Sequence, residues 1–230
     1  MTCRVLYSLK EEIILVKKAI FFIDGNNWYH NIKNWFKPGS IDIKKLIELL
    51  SKENKLDIIE VRWYVSMPNR EDNELIYKNQ RAFLGHLEKK GIKTITRKLQ
   101  RLSNKEILKK RKELLNSWDL CKICKPLVEA SFLDIEDKNQ KEKGIDVWIA
   151  IDMVKEALQN KLDSCILISG DADFVPALEL IESMKKEVLS AFIPRGYSNE
   201  LRQKFPYFII TREILAKCLR DYKKSVEDNS

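Results

Sequence analysis

Aspartates follow apolar runs at two separate places along this chain. Asp24 comes directly after the run 19–23, and Asp171 and Asp173 follow the run 166–168. An apolar run that stops at Asp-Gly or Gly-Asp is typical of a buried strand that ends in a turn. Because parallel strands bring their carboxyl ends to one edge of a sheet, where open α/β sheets bind ligands, we expect these carboxylates to converge. Converging carboxylates repel one another unless a cation is present, so the pattern predicts a metal site.

A fourth aspartate, Asp146, follows Gly144 at the start of a helix predicted over 145–158. Its neighbour Asp152 lies about 240° further around that helix at ~100° per residue, so the two side chains do not face one ion from a regular helix. Asp146 is therefore the better candidate for a metal ligand. We expect Asp152 to support the site from behind or to pair with a basic side chain.

Each of these aspartates also has a purely structural interpretation. The segment Asp24-Gly25-Asn26-Asn27 has the composition of a turn, in which Asn26 and Asn27 cap the next helix. An N-cap followed by a favourable charge in the first helical turn explains Asp171 more easily than the pair Asp171 and Asp173. Two carboxylates two residues apart across a turn can meet on one hard cation, which prefers oxygen ligands.

Predicted strands and helices alternate along the chain, and this pattern sets the fold class. The apolar runs predict strands at 19–23, 58–65, 92–99, 164–169 and 188–193. Helical spacing between them predicts a three-layer, Rossmann-like α/β fold, a mainly parallel sheet with helices on both faces. We expect one domain over 18–222, which contains a lysine-rich insertion at 100–142 that is partly helical at 103–117, and a polar tail over 223–230.

Charge and cysteine content limit the partners and the compartment. Lys and Arg outnumber Asp and Glu by 42 to 34, for a net charge of +8 and a pI near 9.1. A basic surface around an acidic pocket suits a polyanionic substrate, although abundant surface lysine alone also explains the excess. Five scattered cysteines are no disulfide framework, so we expect a reducing cytoplasm. No apolar run approaches the ~18 residues of a membrane span, and we expect no membrane association.

Two further patterns leave alternatives open. The stretch 97–101, continued by 109–112, is rich in lysine and arginine and could follow a nucleic-acid backbone or form a solvated helix face. Aromatic side chains just after Asp24 could stack on unpaired bases or belong to the core; they are Trp28, Tyr29, Trp35 and Phe36.

The pair Cys121 and Cys124 has the spacing of half a zinc site. No second pair of cysteines or histidines follows it, and completion would need a distant Cys3, Cys218 or His86 or a second protomer. We therefore do not expect structural zinc.

Three segments together resemble the NYN domain family, in the LabA-like branch of the PIN-like nuclease superfamily. They read FIDGNN at 22–27, KGIDV at 143–147 with DM at 152–153, and LISGDADFVP at 167–176. The resemblance covers about residues 18–193 apart from 100–142. All three segments occur in the family's order, each on a predicted element of the right type.

The resemblance implies a PIN-like sheet whose acidic residues bind Mg²⁺ or Mn²⁺ and hydrolyse phosphodiester bonds, usually in RNA. The family's acidic quartet is matched by Asp24, Asp146, Asp171 and Asp173. Its accessory polar positions are matched by Asn27 and Ser169, and Asp152 and Lys143 are expected to support the site or the substrate.

A metal-dependent ribonuclease, cutting internally, is therefore the expected function. Its partner would be single-stranded or structured RNA, with DNA and a homodimer as open alternatives. A non-catalytic nucleic-acid-binding or regulatory protein with a vestigial acidic site is the second hypothesis. A phosphatase or nucleotide hydrolase is the third, although the aspartyl-phosphatase pattern requires Asp-x-Asp after the first strand, where Asp24 is followed by Gly-Asn.

Overall fold

A computed structural model of the chain describes residues 16–98, 100–103, 105–132, 138–141, 144–194 and 196–220. The strands in these ranges are β1 (Lys17–Asp24), β2 (Leu56–Met67), β3 (Lys93–Lys98), β4 (Gln100–Ser103), β5 (Lys138–Lys141), β6 (Ser164–Ile168), β7 (Glu187–Phe192) and β8 (Tyr207–Ile209). The α-helices are α1 (Gly25–Ile32), α2 (Ile43–Asn54), α3 (Glu74–Lys89), α4 (Lys105–Ser117), α5 (Cys124–Phe132), α6 (Ile145–Leu158), α7 (Val175–Ser183), α8 (Asn199–Lys204) and α9 (Arg212–Lys217). Short 3-10 turns lie at Pro38–Ser40 and Ala172–Phe174.

The main sheet has six strands in the order β3-β2-β1-β6-β7-β8, and every neighbouring pair is parallel. Strand β1 lies near its centre and is apolar on both faces. Phe21 and Ile23 pack with α1, α2 and α3 on one face, whereas Ile20 and Phe22 pack with α6 and α7 on the other. The predicted three-layer α/β fold with a parallel sheet is confirmed.

The segment after β3 forms a small antiparallel ladder and two helices. Strand β4 pairs with β5, from Gln100 opposite Lys141 to Ser103 opposite Lys138. Helix α4 covers nearly the predicted helical stretch, whereas the ladder and α5 have no counterpart in the sequence-based prediction. That 100–142 is an insertion within one domain stays a prediction.

No helix in the described ranges has both the length and the apolar character needed to cross a membrane.

A buried arginine connects the sheet to α6. Arg62 of β2 is only 5% exposed. Its Nη2 donates to Glu60 Oε2 at 2.7 Å and to Glu156 Oε1 at 2.9 Å, and its Nη1 lies 3.6 Å from Asp152 Oδ2. The guanidinium also lies 5.6 Å from the centroid of the Phe22 ring. Because a buried charge is tolerated only with partners, these contacts fix the position of α6 against β2.

The carboxylate of Glu156 is ionised within this cluster. Burial raises the pKa of Glu156, but hydrogen bonds from Arg62 and Lys161 lower it by more than burial raises it. The pKa of Glu156 therefore lies below the ordinary glutamate value. A depressed pKa means that the folded state binds the proton more weakly than the unfolded chain. The stabilisation is therefore complete above the ordinary pKa and is lost as the pH falls through the folded-state pKa.

We expect Glu156→Gln to lower the free energy of unfolding by about 2 kcal/mol at neutral pH, because the buried Arg62 guanidinium loses a negatively charged partner and keeps only a hydrogen bond to an uncharged amide. The difference from the wild type should shrink as the pH falls below about 4.3, the ordinary pKa of glutamate. Urea unfolding at several pH values measures both quantities. Glu182→Gln, at an exposed position of α7, is the control and should change little. A pH-independent difference would contradict the assignment.

Candidate functional site

The aspartates of the first and third motifs flank the point where the strand order of the sheet reverses. Chain order runs outward from β1 through β2 to β3 on one side and from β6 through β7 to β8 on the other. Asp24 ends β1, and Ser169 directly follows β6, with Ile23 and Ile168 as register partners. In open α/β sheets, ligands bind outside the carboxyl ends of the strands at such a switch point.

Asp24 is buried, with 4% of its surface exposed. Its Oδ1 accepts hydrogen bonds from the backbone N–H groups of Asn26 at 3.1 Å and Asn27 at 3.0 Å, and its Oδ2 accepts one from Ser169 Oγ at 3.2 Å. Asp24 is thus the N-cap of α1. The prediction that Asn26 and Asn27 cap this helix is wrong, because their backbone groups are donors and the cap is the aspartate before Gly25.

Asn27 instead connects α1 to the loop after β6. Its Oδ1 accepts a hydrogen bond from the backbone N–H of Gly170 at 3.2 Å and another from Asn31 Nδ2 at 2.9 Å. The position of the carbonyl oxygen is therefore fixed from two sides. Asn31 was missed by the sequence analysis, although its place four residues after Asn27, on the same helix face, is a usable signal.

The loop after β6 also makes a close backbone contact with the loop after β7. The backbone N–H of Ser198 donates to the carbonyl of Gly170 at 2.8 Å. A Cβ atom on Gly170 would lie 1.5 Å from the carbonyl oxygen of Gly196, so no side chain fits there. Glycine is therefore required at residue 170 for steric reasons, because the loop around Gly196, 26 residues further along the chain, occupies the space of a side chain.

Asp171 and Asp173 occupy the turn that follows Gly170. The backbone N–H of Asp171 donates to Ser169 Oγ at 3.3 Å, so this hydroxyl contacts both Asp24 and the backbone of Asp171. Asp171 Oδ1 accepts from the backbone N–H of Asp173 at 3.0 Å and caps the 3-10 turn. Asp171 is half-buried and Asp173 is exposed. The structural interpretation of Asp171 as an N-cap therefore describes its observed contacts.

Asp146 lies in the first turn of α6, half-buried, and α6 contacts the 3-10 turn that carries Asp173. Arg97, at the end of β3, holds this helix start. Its Nη1 donates to the carbonyl of Gly144 at 3.4 Å, and its guanidinium lies 5.8 Å from the centroid of the Trp148 ring. From sequence, Arg97 was assigned only to a basic stretch, and its contacts with Gly144 and Trp148 were not predicted. Lys143 lies outside the described residues.

Asp152 contacts side chains of β2, the strand next to β1. It accepts a hydrogen bond of 2.7 Å from the Tyr64 hydroxyl, and Tyr64 is the register partner of Asp24 in the sheet. Burial and the nearby Asp152 carboxylate raise the pKa of Tyr64 well above its usual value, so the hydroxyl keeps its proton. Through Arg62 and Tyr64, Asp152 connects α6 to the strand that supports Asp24.

The chain also matches a known protein family. A family model described as the NYN domain matches residues 18–215. The chain belongs to the NYN domain family. The low amplitude and bright protein LabA of Synechococcus elongatus is 23% identical over 201 residues, which cover 86% of this chain and 85% of that protein. No solved structure matches the chain. The family is one of PIN-like, nuclease-type proteins, which usually use divalent metals.

The donor set of this NYN domain suits a hard cation. The described residues include no group of three or more His, Cys, Asp or Glu side chains positioned to hold a metal ion together. Mg²⁺, however, keeps several waters and takes one or two carboxylates together with oxygens of the substrate phosphate. Asp24, through its carboxylate, and Asp171, through its backbone N–H, both contact the Ser169 hydroxyl, so two residues with carboxylates meet at this point.

Cys121 and Cys124 are exposed at the start of α5. The backbone N–H of Cys124 donates to Cys121 Sγ at 3.3 Å. Hydrogen bonds from Cys124 lower the pKa of the Cys121 thiol. In the described part of the chain, Cys165 and Cys218 are both buried and free.

Gly170→Ala should lower the free energy of unfolding by about 1–3 kcal/mol, because the new methyl group forces the loops after β6 and β7 apart. Gly85→Ala is the matched control. A Cβ atom on Gly85, in the middle of α3, has no heavy atom within 4 Å. That substitution should stabilise the fold by about 0.5–1 kcal/mol through lower entropy of the unfolded chain. Urea unfolding of both variants tests the contact, and equal stability of the two would contradict it.

Proposed function

We propose that this NYN domain is a metal-dependent ribonuclease that hydrolyses RNA phosphodiester bonds at the edge formed by β1 and β6. The observation that supports this most directly is the linkage of Asp24 to the backbone of Asp171 through the Ser169 hydroxyl at the switch point of the sheet. In this proposal Asp24 and Asp171 bind the metal ion, and Asp146 and Asp173 supply the other carboxylates of the acidic site.

Bound Mg²⁺ or Mn²⁺ would lower the pKa of a water molecule and stabilise the charge that develops on the phosphate. The chain's own residues supply orientation. Two backbone N–H groups and one hydroxyl fix the Asp24 carboxylate, so its oxygens do not have to reorganise when the substrate arrives. The hydrogen bond from Gly170 to Asn27 ties α1, which Asp24 caps, to the loop that carries Asp171 and Asp173.

RNA is the proposed substrate because the chain is basic outside this acidic edge. The net charge is +8. Exposed side chains on α4 include Lys109, Lys110 and Lys112. Cations of this kind attract a phosphate backbone without reading its sequence, and binding should weaken as salt rises. Three points stay predictions: that the protein is cytoplasmic, that it cuts within RNA rather than at its ends, and that it forms a homodimer.

A non-catalytic nucleic-acid-binding protein is the second candidate, and one observation favours it. Asp24 and Asp171 each serve as N-caps, so both carboxylates have a structural task without a metal. A protein that had lost catalysis would still keep them. Turnover separates the two candidates.

Labelled RNA and DNA should be incubated with the purified protein in Mg²⁺, Mn²⁺ or EDTA. We expect cleavage of RNA with either metal and none in EDTA. Asp24→Asn and Asp171→Asn should each lower the rate by about a hundredfold or more. The asparagine oxygen can still accept the capping hydrogen bonds, so the loss would come from the missing charge rather than from unfolding.

Asp57→Asn is the matched control. Asp57 is exposed at the opposite, amino end of β2, and its substitution should leave the rate unchanged. RNA binding without cleavage in any metal, with equal affinity for the wild type and both variants, would support the second candidate. Release of inorganic phosphate from small phosphoesters would instead indicate a phosphatase.

A further inference from the structure

A groove of about 540 Å³ begins directly beside Asp24, on the face of the sheet that packs against α1 and α3. Its volume falls in the range of ~300–1,000 Å³ that is usual for ligand sites. Gly25 and Asn26, the two residues after Asp24, line one end of it. The other lining residues come from α1, the 3-10 turn Pro38–Ser40, the end of β2 and α3. The groove and Asp24 therefore meet at the first turn of α1, where Asn26 lines the groove and donates its backbone N–H to the Asp24 carboxylate.

Aromatic rings form much of the groove wall. Trp63 lies between Trp28 and Phe83 in edge-to-face contacts, with ring centroids 6.3 Å and 5.4 Å apart. Trp28 and Trp63 are buried, whereas Tyr29 is 53% exposed at the rim. The exposed Tyr29 ring and the half-buried Phe83 ring, backed by the two buried indoles, provide stacking surface for another planar ring.

Two buried indole N–H groups belong to the residues that line this groove. Neither Trp28 Nε1 nor Trp63 Nε1 has a hydrogen-bond partner in the described part of the chain, although Trp63 is only 2% exposed. A Cβ atom on Gly25 would lie 2.5 Å from Trp63 Nε1. The glycine therefore keeps the space next to this donor free of side-chain atoms. An unsatisfied buried donor is costly to the fold.

Side-chain amides provide the remaining polar groups. Gln80 Nε2 donates to the carbonyl of Ser66 at 3.0 Å, which fixes the position of the Gln80 amide at the groove. Asn79 is exposed one residue earlier on α3. No lining residue carries a charge. Amides match the donor and acceptor edges of a nucleobase, whereas an uncharged wall gives a phosphate nothing to bind.

We propose that this groove receives one unstacked base of the RNA, next to the phosphodiester at Asp24. The inference rests on the proposed function for the choice of RNA, while the base itself is argued from the Tyr29 and Phe83 rings, the uncharged lining and the amides. An apolar peptide would also fill the walls but would leave the exposed Asn79 amide unmatched. The acidic edge would then cut the backbone beside a base that the protein holds out of the stack.

The test compares two single-stranded RNA backbones in EDTA, so that it does not depend on cleavage. One strand is fully abasic, and the other carries a single base. For the wild type we expect the single base to raise affinity about tenfold, since stacking one base on aromatic side chains has that order of effect. In Tyr29→Ala/Asn79→Ala this gain should disappear. Both positions are exposed, so the double variant should fold normally.

Leu75→Ala/Lys78→Ala is the matched control, because both residues are exposed on α3 but neither lines the groove. Loss of the Lys78 charge weakens both strands alike, so the ratio of their affinities should stay at the wild-type value. No gain from the base in the wild type, or the same gain in the groove variant, overturns the proposal. If the groove variant keeps the gain in affinity but has a different oligomeric mass from the wild type, the proposal is also overturned, and the occupant of the groove is a second copy of the chain.

The two proposals fail separately. RNA cleavage without a gain from the single base would leave the nuclease and remove the groove as a base site. A gain without cleavage in any metal would keep the base site in a protein that binds RNA but does not cut it.

Discussion

The hydrogen bonds of the Asp24 carboxylate are the contact on which the arrangement of the acidic edge depends. One oxygen accepts from the first turn of α1 and the other from Ser169 in the loop after β6. A single buried side chain therefore ties the end of β1, the start of α1 and the neighbouring loop. Without it, the N–H groups of α1 and the Ser169 hydroxyl would lose a buried acceptor, which is costly. Asn27 repeats the same connection from the other side through Gly170.

These contacts change the physical argument for a metal. Converging carboxylates were expected to require a cation to offset their repulsion. The structure offers other compensation, because Asp24 accepts three hydrogen bonds, two of them at the positive end of α1. Asp171 is likewise stabilised by a backbone N–H. Repulsion alone thus no longer demands a metal. The inference of a cation rests instead on the family and on the carboxylate oxygens that this edge can offer to a hard cation.

Local signals allowed much of the fold to be predicted, whereas contacts between distant segments could not be. Helix α6 begins and ends at the predicted residues, because its apolar periodicity and the preceding glycine are local properties. The role of Asn27 was missed, since it depends on a loop more than a hundred residues away. Arg62 was not predicted to be buried either, because two of its three acidic partners, Asp152 and Glu156, come from the distant helix α6. Sequence spacing placed Asp24 at the end of a buried strand, but it did not predict the hydrogen bonds that hold the Asp24 carboxylate.

The aromatic residues after Asp24 show why burial decides between two interpretations of one segment. From sequence, Trp28 and Tyr29 could each be core or base-stacking residues. In a helix, adjacent residues point about 100° apart, so one is buried while the next reaches the rim. Both outcomes occur here, and both residues line one groove. The buried Trp28 ring forms part of the groove wall, and the exposed Tyr29 ring lies at the entrance of the groove. The two interpretations therefore describe different parts of one surface, which begins at the first turn of the helix that Asp24 caps.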